Sequence, residues 1–215
     1  METKWQLLGP EGLAFFGKIT ASLTHEMKNA LAIVNVNSGL LEDYMLMAEN
    51  GMEVDPKRLQ GLAVRIARQV ERTDDLVSRL NAFAHSVDHP SQEVDLAQLL
   101  ELAMFLSRRI MAGYGVEVEV VETATVCVTT SPFLLLNLIC NCLFAWGSVA
   151  RPGTTIRLRC IVDGEPGHVA ILLEGSDSAP AAFPGPTEQA MLEAMQARLR
   201  EDPGMKGRLI LLPVA

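Results

Sequence analysis

The chain is short of positive charge. Against 26 Asp and Glu it has 18 Lys and Arg, a formal net charge of -8 over 215 residues. That balance argues against nucleic acid and anionic membrane as partners. No apolar run approaches the ~18 to 20 residues that cross a bilayer. The richest window, Phe133 to Ala150, carries Asn137 and Asn141 and lies between Pro132 and Arg151, so it reads as a buried helix. Met1 to Pro10 has no basic stretch followed by an apolar one, so no secretory signal and no membrane span are expected and a cytoplasmic location is. The four cysteines, Cys127, Cys140, Cys142 and Cys160, have no Cys-x-x-Cys spacing. Cys140 and Cys142 point to different sides of a helix and make a poor metal pair. The plain expectation is four reduced, buried thiols and no metal site. No internal repeat is present.

What remains is a well-folding composition, 49% hydrophobic and 20% charged. The first third reads as two long helices. One is expected from about Glu11, after Gly9-Pro10, to about Ala48. Phe16, Ile19, Leu23, Met27, Leu31, Val34, Leu41 and Met45 recur at three- and four-residue steps and form one stripe. Asn50-Gly51 supplies the stop. Asp55-Pro56 opens the second helix, a capping aspartate before a proline at the first helical position. Leu59, Leu62, Ile66, Thr73, Leu76, Leu80 and Phe83 step along it, with Gln69 as a polar interruption. Arg58, Arg65, Arg68, Arg72, Asp75 and Arg79 are assigned to the opposite face. A hairpin of two such helices cannot bury its stripe alone, so pairing with a second copy into a four-helix bundle is expected.

A linker, His85 to Gln92, separates this hairpin from a different grammar. Asp95 caps a helix to about Ala112. Val116 to Val121 and Val126 to Val128 read as strands, and Ser131-Pro132 starts the apolar helix. Thr155 to Val162 and His168 to Leu173 read as strands joined at Asp163-Gly164. A loop runs from Ser176 to Pro186, a helix from Thr187 to Arg200 and a last strand from Gly207 to Val214. The fold class is α+β: a helical hairpin over residues 10–88, then one mixed sheet with helices on one face over residues 93–215.

One segment carries chemistry: Phe16-Gly-Lys-Ile-Thr-Ala-Ser-Leu-Thr-His25-Glu26-Met-Lys28-Asn29-Ala30-Leu31. It resembles the phosphoacceptor box of two-component sensor histidine kinases. That resemblance implies that His25 accepts a phosphoryl group, that Glu26 is the base that activates it, and that Asn29 orients the water attacking a partner's phospho-aspartate. Lys28 is placed to screen charge near the phosphate. The family's proline is Ala30 here, which leaves the helix straighter. A zinc-protease His-Glu-x-x-His pattern is ruled out because Asn29 stands where its second histidine would be.

The second region resembles the ATP-binding domain of the same kinases. Leu135 to Ala145 looks like its asparagine box, which makes Asn141 the residue that would hold Mg²⁺ against nucleotide phosphates. The glycine-rich boxes are missing. Glu174-Gly-Ser-Asp177 keeps only Gly175 of the first, and Thr187-Glu-Gln-Ala-Met-Leu stands in place of the second. Without backbone amides to meet the phosphates at a helix N-terminus, nothing offsets the triphosphate charge. Asn137 and Asn141 then read as helix residues making local hydrogen bonds.

A sound phosphoacceptor hairpin with a degenerate ATPase-like domain is similar to the dimeric histidine phosphotransferases of bacterial relays. The resemblance implies a homodimer that exchanges phosphate between His25 and response-regulator receiver domains, with Mg²⁺ supplied by the receiver, no cofactor of its own, and an upstream kinase as a further partner. Two other readings stand beside it. One is an ATP-dependent kinase with an atypical nucleotide site; the other is a non-catalytic scaffold for a kinase or regulator.

Overall fold

The computed structural model describes residues 2–121, 126–162, 168–175, 183–202 and 207–213. The expected turn at Asp163-Gly164, most of the Ser176 to Pro186 loop, and Val214 lie outside them. Two helices open the chain, α1 (Glu2–Glu49) and α2 (Pro56–His85). Helix α1 starts nine residues earlier than expected from Pro10 and carries that proline inside it. A proline crowds the Cβ of the residue before it. That residue is Gly9, which has none, so this one of proline's clashes is absent. At the start of α2 the Asp55 carboxylate accepts from the Lys57 amide at 2.9 Å.

The remaining elements are β1 (Gln92–Asp95), α3 (Leu96–Gly113), β2 (Glu117–Val120), β3 (Cys127–Thr130), α4 (Pro132–Gly147), β4 (Thr155–Val162), β5 (His168–Glu174), α5 (Pro186–Ala194), β6 (Arg198–Asp202) and β7 (Gly207–Pro213). The main sheet runs β2-β4-β5-β7-β6, and β1 pairs with β3 in a small second sheet. Strands β2 and β4 are parallel; the other neighbours in the main sheet are antiparallel. The sequence signals at the caps are the ones used: Asp95 accepts from Ala97 N at 2.9 Å, and Ser131 Oγ from Leu134 N at 3.4 Å.

Two elements depart from expectation. Strand β1 begins at Gln92, the last residue of the expected linker, and runs to the capping Asp95, where no strand was expected. The helix expected over Thr187 to Arg200 stops at Ala194, and β6 follows. Gln196 takes a left-handed backbone at φ 54, which ends the helix, and Leu199 then pairs with Ile210 of β7. Nor is the sheet buried on one face alone. Val169 to Leu173 and Leu209 to Leu212 are buried at every position, and Ala170, Leu172, Leu209 and Leu211 form a cluster on one side with Ile161 against it.

The chain divides into two compact units, residues 20–82 and residues 1–19 with 83–215. In the smaller unit Leu23, Ala30, Leu62 and Leu76 form the seam between the helices. Ala30 and Asn37, which the expected stripe did not include, are buried, while Leu31 and Met45, which it did, are exposed, at 50% and 57%. In the larger unit Phe83 is the hub of an aromatic cluster. Its ring stacks on Phe16 at 5.1 Å, meets Phe15 edge-on at 5.6 Å and lies 6.2 Å from Phe133.

Candidate functional site

Within the smaller unit, α1 runs unbroken through residues 20–49, so its side chains are carried on a rigid rod. His25, Lys28 and Asn29 are exposed on it. No described residue bonds the His25 ring. Thr24, one residue before, spends its hydroxyl on its own helix, donating to Thr20 O at 2.8 Å. A histidine in a helix with no structural partner and an open ring nitrogen can meet a partner protein directly.

Glu26 behaves differently from its neighbours. Its side chain is 24% exposed, and Arg72 Nη2 of α2 lies 3.3 Å from its Oε2. Further along the pair, Arg65 Nε donates to Asn37 Oδ1 at 2.9 Å, and Asn37 Nδ2 donates to Ile33 O at 2.7 Å. Moving up one helix moves down the other, as antiparallel neighbours must. Arg65 and Arg72 were assigned to the outer face of α2, and the structure corrects this. They are seven residues apart, two turns on one side of the helix, and their long stems reach back over the seam to α1. Helical position alone does not reveal that reach, so Arg72 was missed as a site residue. Gln69, the polar interruption, has a buried Oε1 without a hydrogen-bond partner.

In the larger unit, Asn141 lies on α4. Its Nδ2 donates to Glu188 Oε1 of α5 at 3.0 Å, and the other oxygen of that carboxylate accepts from Gly185 N at 2.9 Å. One acidic group therefore occupies both the asparagine amide and the first free amide of a helix N-terminus. A carboxylate there is favoured by the helix dipole. The expectation of purely local bonding for Asn141 is corrected, since the bond joins two helices. For Asn137 it fails outright: the residue is 1% exposed and, among the described residues, neither amide atom has a hydrogen-bond partner. Gly175, the remaining glycine of the first box, has a packing explanation. Its φ is 113, and a Cβ there would run into the Thr155 carbonyl oxygen.

Cys140, Cys142 and Cys160 are buried, but Cys127 is exposed, against the expectation of four buried thiols. Burial pushes the Cys140 thiol up to about 12, with Lys18 opposing. The Cys142 thiol is raised too, by burial first and then by the Glu188 carboxylate. Among the described residues no group of His, Cys, Asp and Glu is arranged to hold a metal ion, and no helix is long and apolar enough to cross a membrane.

No protein-family model and no curated protein matches the sequence. Among solved structures the chain is similar to the mycobacterial sensor histidine kinase MprB, with 19% identity, a TM-score of 0.45, and coverage of 57% of this chain and 96% of that one. It is similar to the Acinetobacter baumannii histidine kinase AdeS, with 12% identity, a TM-score of 0.44, and coverage of 84% and 95%. It is also similar to the cytoplasmic segment of the histidine kinase QseC, with 14% identity, a TM-score of 0.43, and coverage of 76% and 98%.

Proposed function

We propose that the chain is a two-component phosphorelay protein that takes a phosphoryl group on His25 from one response-regulator aspartate and gives it to another, without using ATP itself. The observation that carries this reading is the exposed, unbonded His25 ring on a rigid helix, flanked by Glu26, Lys28 and Asn29. A histidine kept for packing would be buried or bonded. Mg²⁺ comes with the receiver domain, and Asn29 is placed for the phosphatase direction of the same chemistry.

The Asn141 to Glu188 bond supports the absence of ATP use. The amide that would face a metal and phosphates is engaged with a carboxylate, whose negative charge repels a triphosphate. Assembly as a homodimer is supported by the apolar side chains left in solvent on the hairpin. Ile33, Val36 and Leu40 on α1 are 42%, 63% and 42% exposed, and Val70 on α2 is 55% exposed. A second copy covers such surface most simply.

The ATP-dependent kinase reading keeps one supporting observation, the presence of both asparagines on α4. One assay separates them. The protein is mixed with radiolabelled ATP and Mg²⁺, and separately with a phosphorylated receiver domain. Label from the receiver alone, lost when His25 is replaced, is the expected result. Label from ATP alone makes the chain a kinase. A receiver that binds but exchanges no phosphate makes it a scaffold.

A further inference from the structure

We propose that Arg72 is a positioning residue that withholds the Glu26 carboxylate from His25. The inference rests on the phosphotransfer reading of His25 and names a residue that sets its rate.

Successive residues on an α-helix point about 100° apart, so neighbours in sequence do not face each other. His25 faces solvent, while Glu26 is three-quarters covered, with Arg72 Nη2 3.3 Å from its Oε2. The Arg72 side chain is itself 55% exposed, so the pair sits at the rim of the helix seam and opens without unpacking the core. For Glu26 to reach the His25 ring its carboxylate must swing outward, away from Arg72.

Phosphoryl uptake requires that swing. The lone pair on His25 Nε2 attacks the phosphorus of the receiver's aspartyl phosphate. An N–P bond forms, the acyl P–O bond breaks, and its electron pair leaves with the aspartate as a carboxylate. Nε2 has a lone pair only when the ring proton is on Nδ1, and the ring gains positive charge as the bond forms. A carboxylate accepting from Nδ1–H fixes that tautomer and stabilises that charge. Glu26 is the adjacent carboxylate. The ion pair with Arg72 therefore has to break before Glu26 can assist. A pair half in solvent is weak, so the restraint is worth roughly two- to fivefold in rate.

The test uses the full chain and three variants, R72Q, E26Q and the double variant, with thermal melts to show that each is folded. Uptake from a radiolabelled phospho-receiver is expected to rise roughly two- to fivefold in R72Q, to fall in E26Q, and to be the same in the double variant as in E26Q. Nitrogen-15 shifts of the His25 ring are read on the same unphosphorylated proteins. R72Q is expected to move the ring toward the Nδ1–H tautomer. Added salt should move the wild-type ring the same way and leave the R72Q ring unmoved. An R72Q protein with unchanged or slower uptake, or the same factor with Glu26 already replaced, overturns the proposal. So does a His25 ring that ignores R72Q. A wild-type protein that takes no phosphoryl group overturns the phosphotransfer reading instead, and the ring tautomer still decides whether Arg72 governs Glu26.

Discussion

Replacing Glu188 by alanine tests how the sheet-bearing unit closes its own helix end. The carboxylate makes two hydrogen bonds, with Asn141 Nδ2 at 3.0 Å and Gly185 N at 2.9 Å. Hydrogen bonds to a charged group contribute about 1.5–3 kcal/mol each when shielded. Glu188 is half-buried, and in the variant water reaches the freed amides, so the combined loss is about 1–3 kcal/mol. In a chain of this size each kcal/mol moves the melting midpoint by about 2–4 °C, which gives a fall of roughly 2–12 °C. Glu188→Gln keeps an oxygen that can accept one of the two bonds and should lose about half as much. Melting each protein with and without excess Mg-ATP completes the assay. A ligand at a hundred times its dissociation constant adds about 2.7 kcal/mol, a shift that the method resolves easily. No shift is expected for the wild type or for either variant, because removing the carboxylate restores none of the glycine-loop amides. A Glu188→Ala loss below about 0.5 kcal/mol would show that the two bonds are ornamental. Stabilisation of the wild type by Mg-ATP would refute the argument that Glu188 stands where phosphate would be bound.

His25→Gln should abolish phosphoryl uptake while leaving the melting midpoint within about 0.5 kcal/mol of wild type, as for an exposed side chain without partners; a protein that fails to fold would place His25 in the core. Phe83→Ala removes a ring that is 0% exposed and in contact with three other aromatic rings. It should cost about 3–5 kcal/mol by urea titration, and a loss under 1 kcal/mol would mean the cluster does not brace the unit. In the native protein a thiol reagent should modify Cys127 and spare Cys140, Cys142 and Cys160 until denaturant is added. Cys140 is raised by burial from 9.0 to about 12 and Cys160 to about 11. A thiol held protonated in the folded state stabilises it fully below pH 9, and that stability is lost as pH rises through the folded value. Unfolding free energy should therefore fall from pH 9 upward, and a Cys140→Ala variant should fall less steeply.

The parts of this molecule that could be read from the sequence are those whose cause is local. Asp55-Pro56 opens α2 because a carboxylate and a fixed φ act within three residues. Thr155 to Val162 is a strand to the residue because β-branched side chains, Thr155-Ile156 and Ile161-Val162, hold both of its ends. The exposure of His25, Lys28 and Asn29 together follows from their spacing within two turns of one helix. What escaped depends on distant meetings. Arg198 to Glu201 contains good helix formers and becomes part of β6 only because β7 offers a row of backbone partners. Arg72 reaches Glu26 across 46 residues of sequence, and Asn141 reaches Glu188 across 47. These two pairings have opposite consequences for function. On the hairpin, the proposed phosphotransfer is restrained only by an exposed and breakable ion pair. In the sheet-bearing unit, a carboxylate bonded to both Asn141 and Gly185 takes up the amide that the proposed reading would otherwise leave open to a nucleotide. An alignment of motifs records that the asparagine survives and the glycines do not. The partner of that asparagine adds that, on the proposed reading, restoring glycines alone would still leave the Glu188 carboxylate bonded to Asn141.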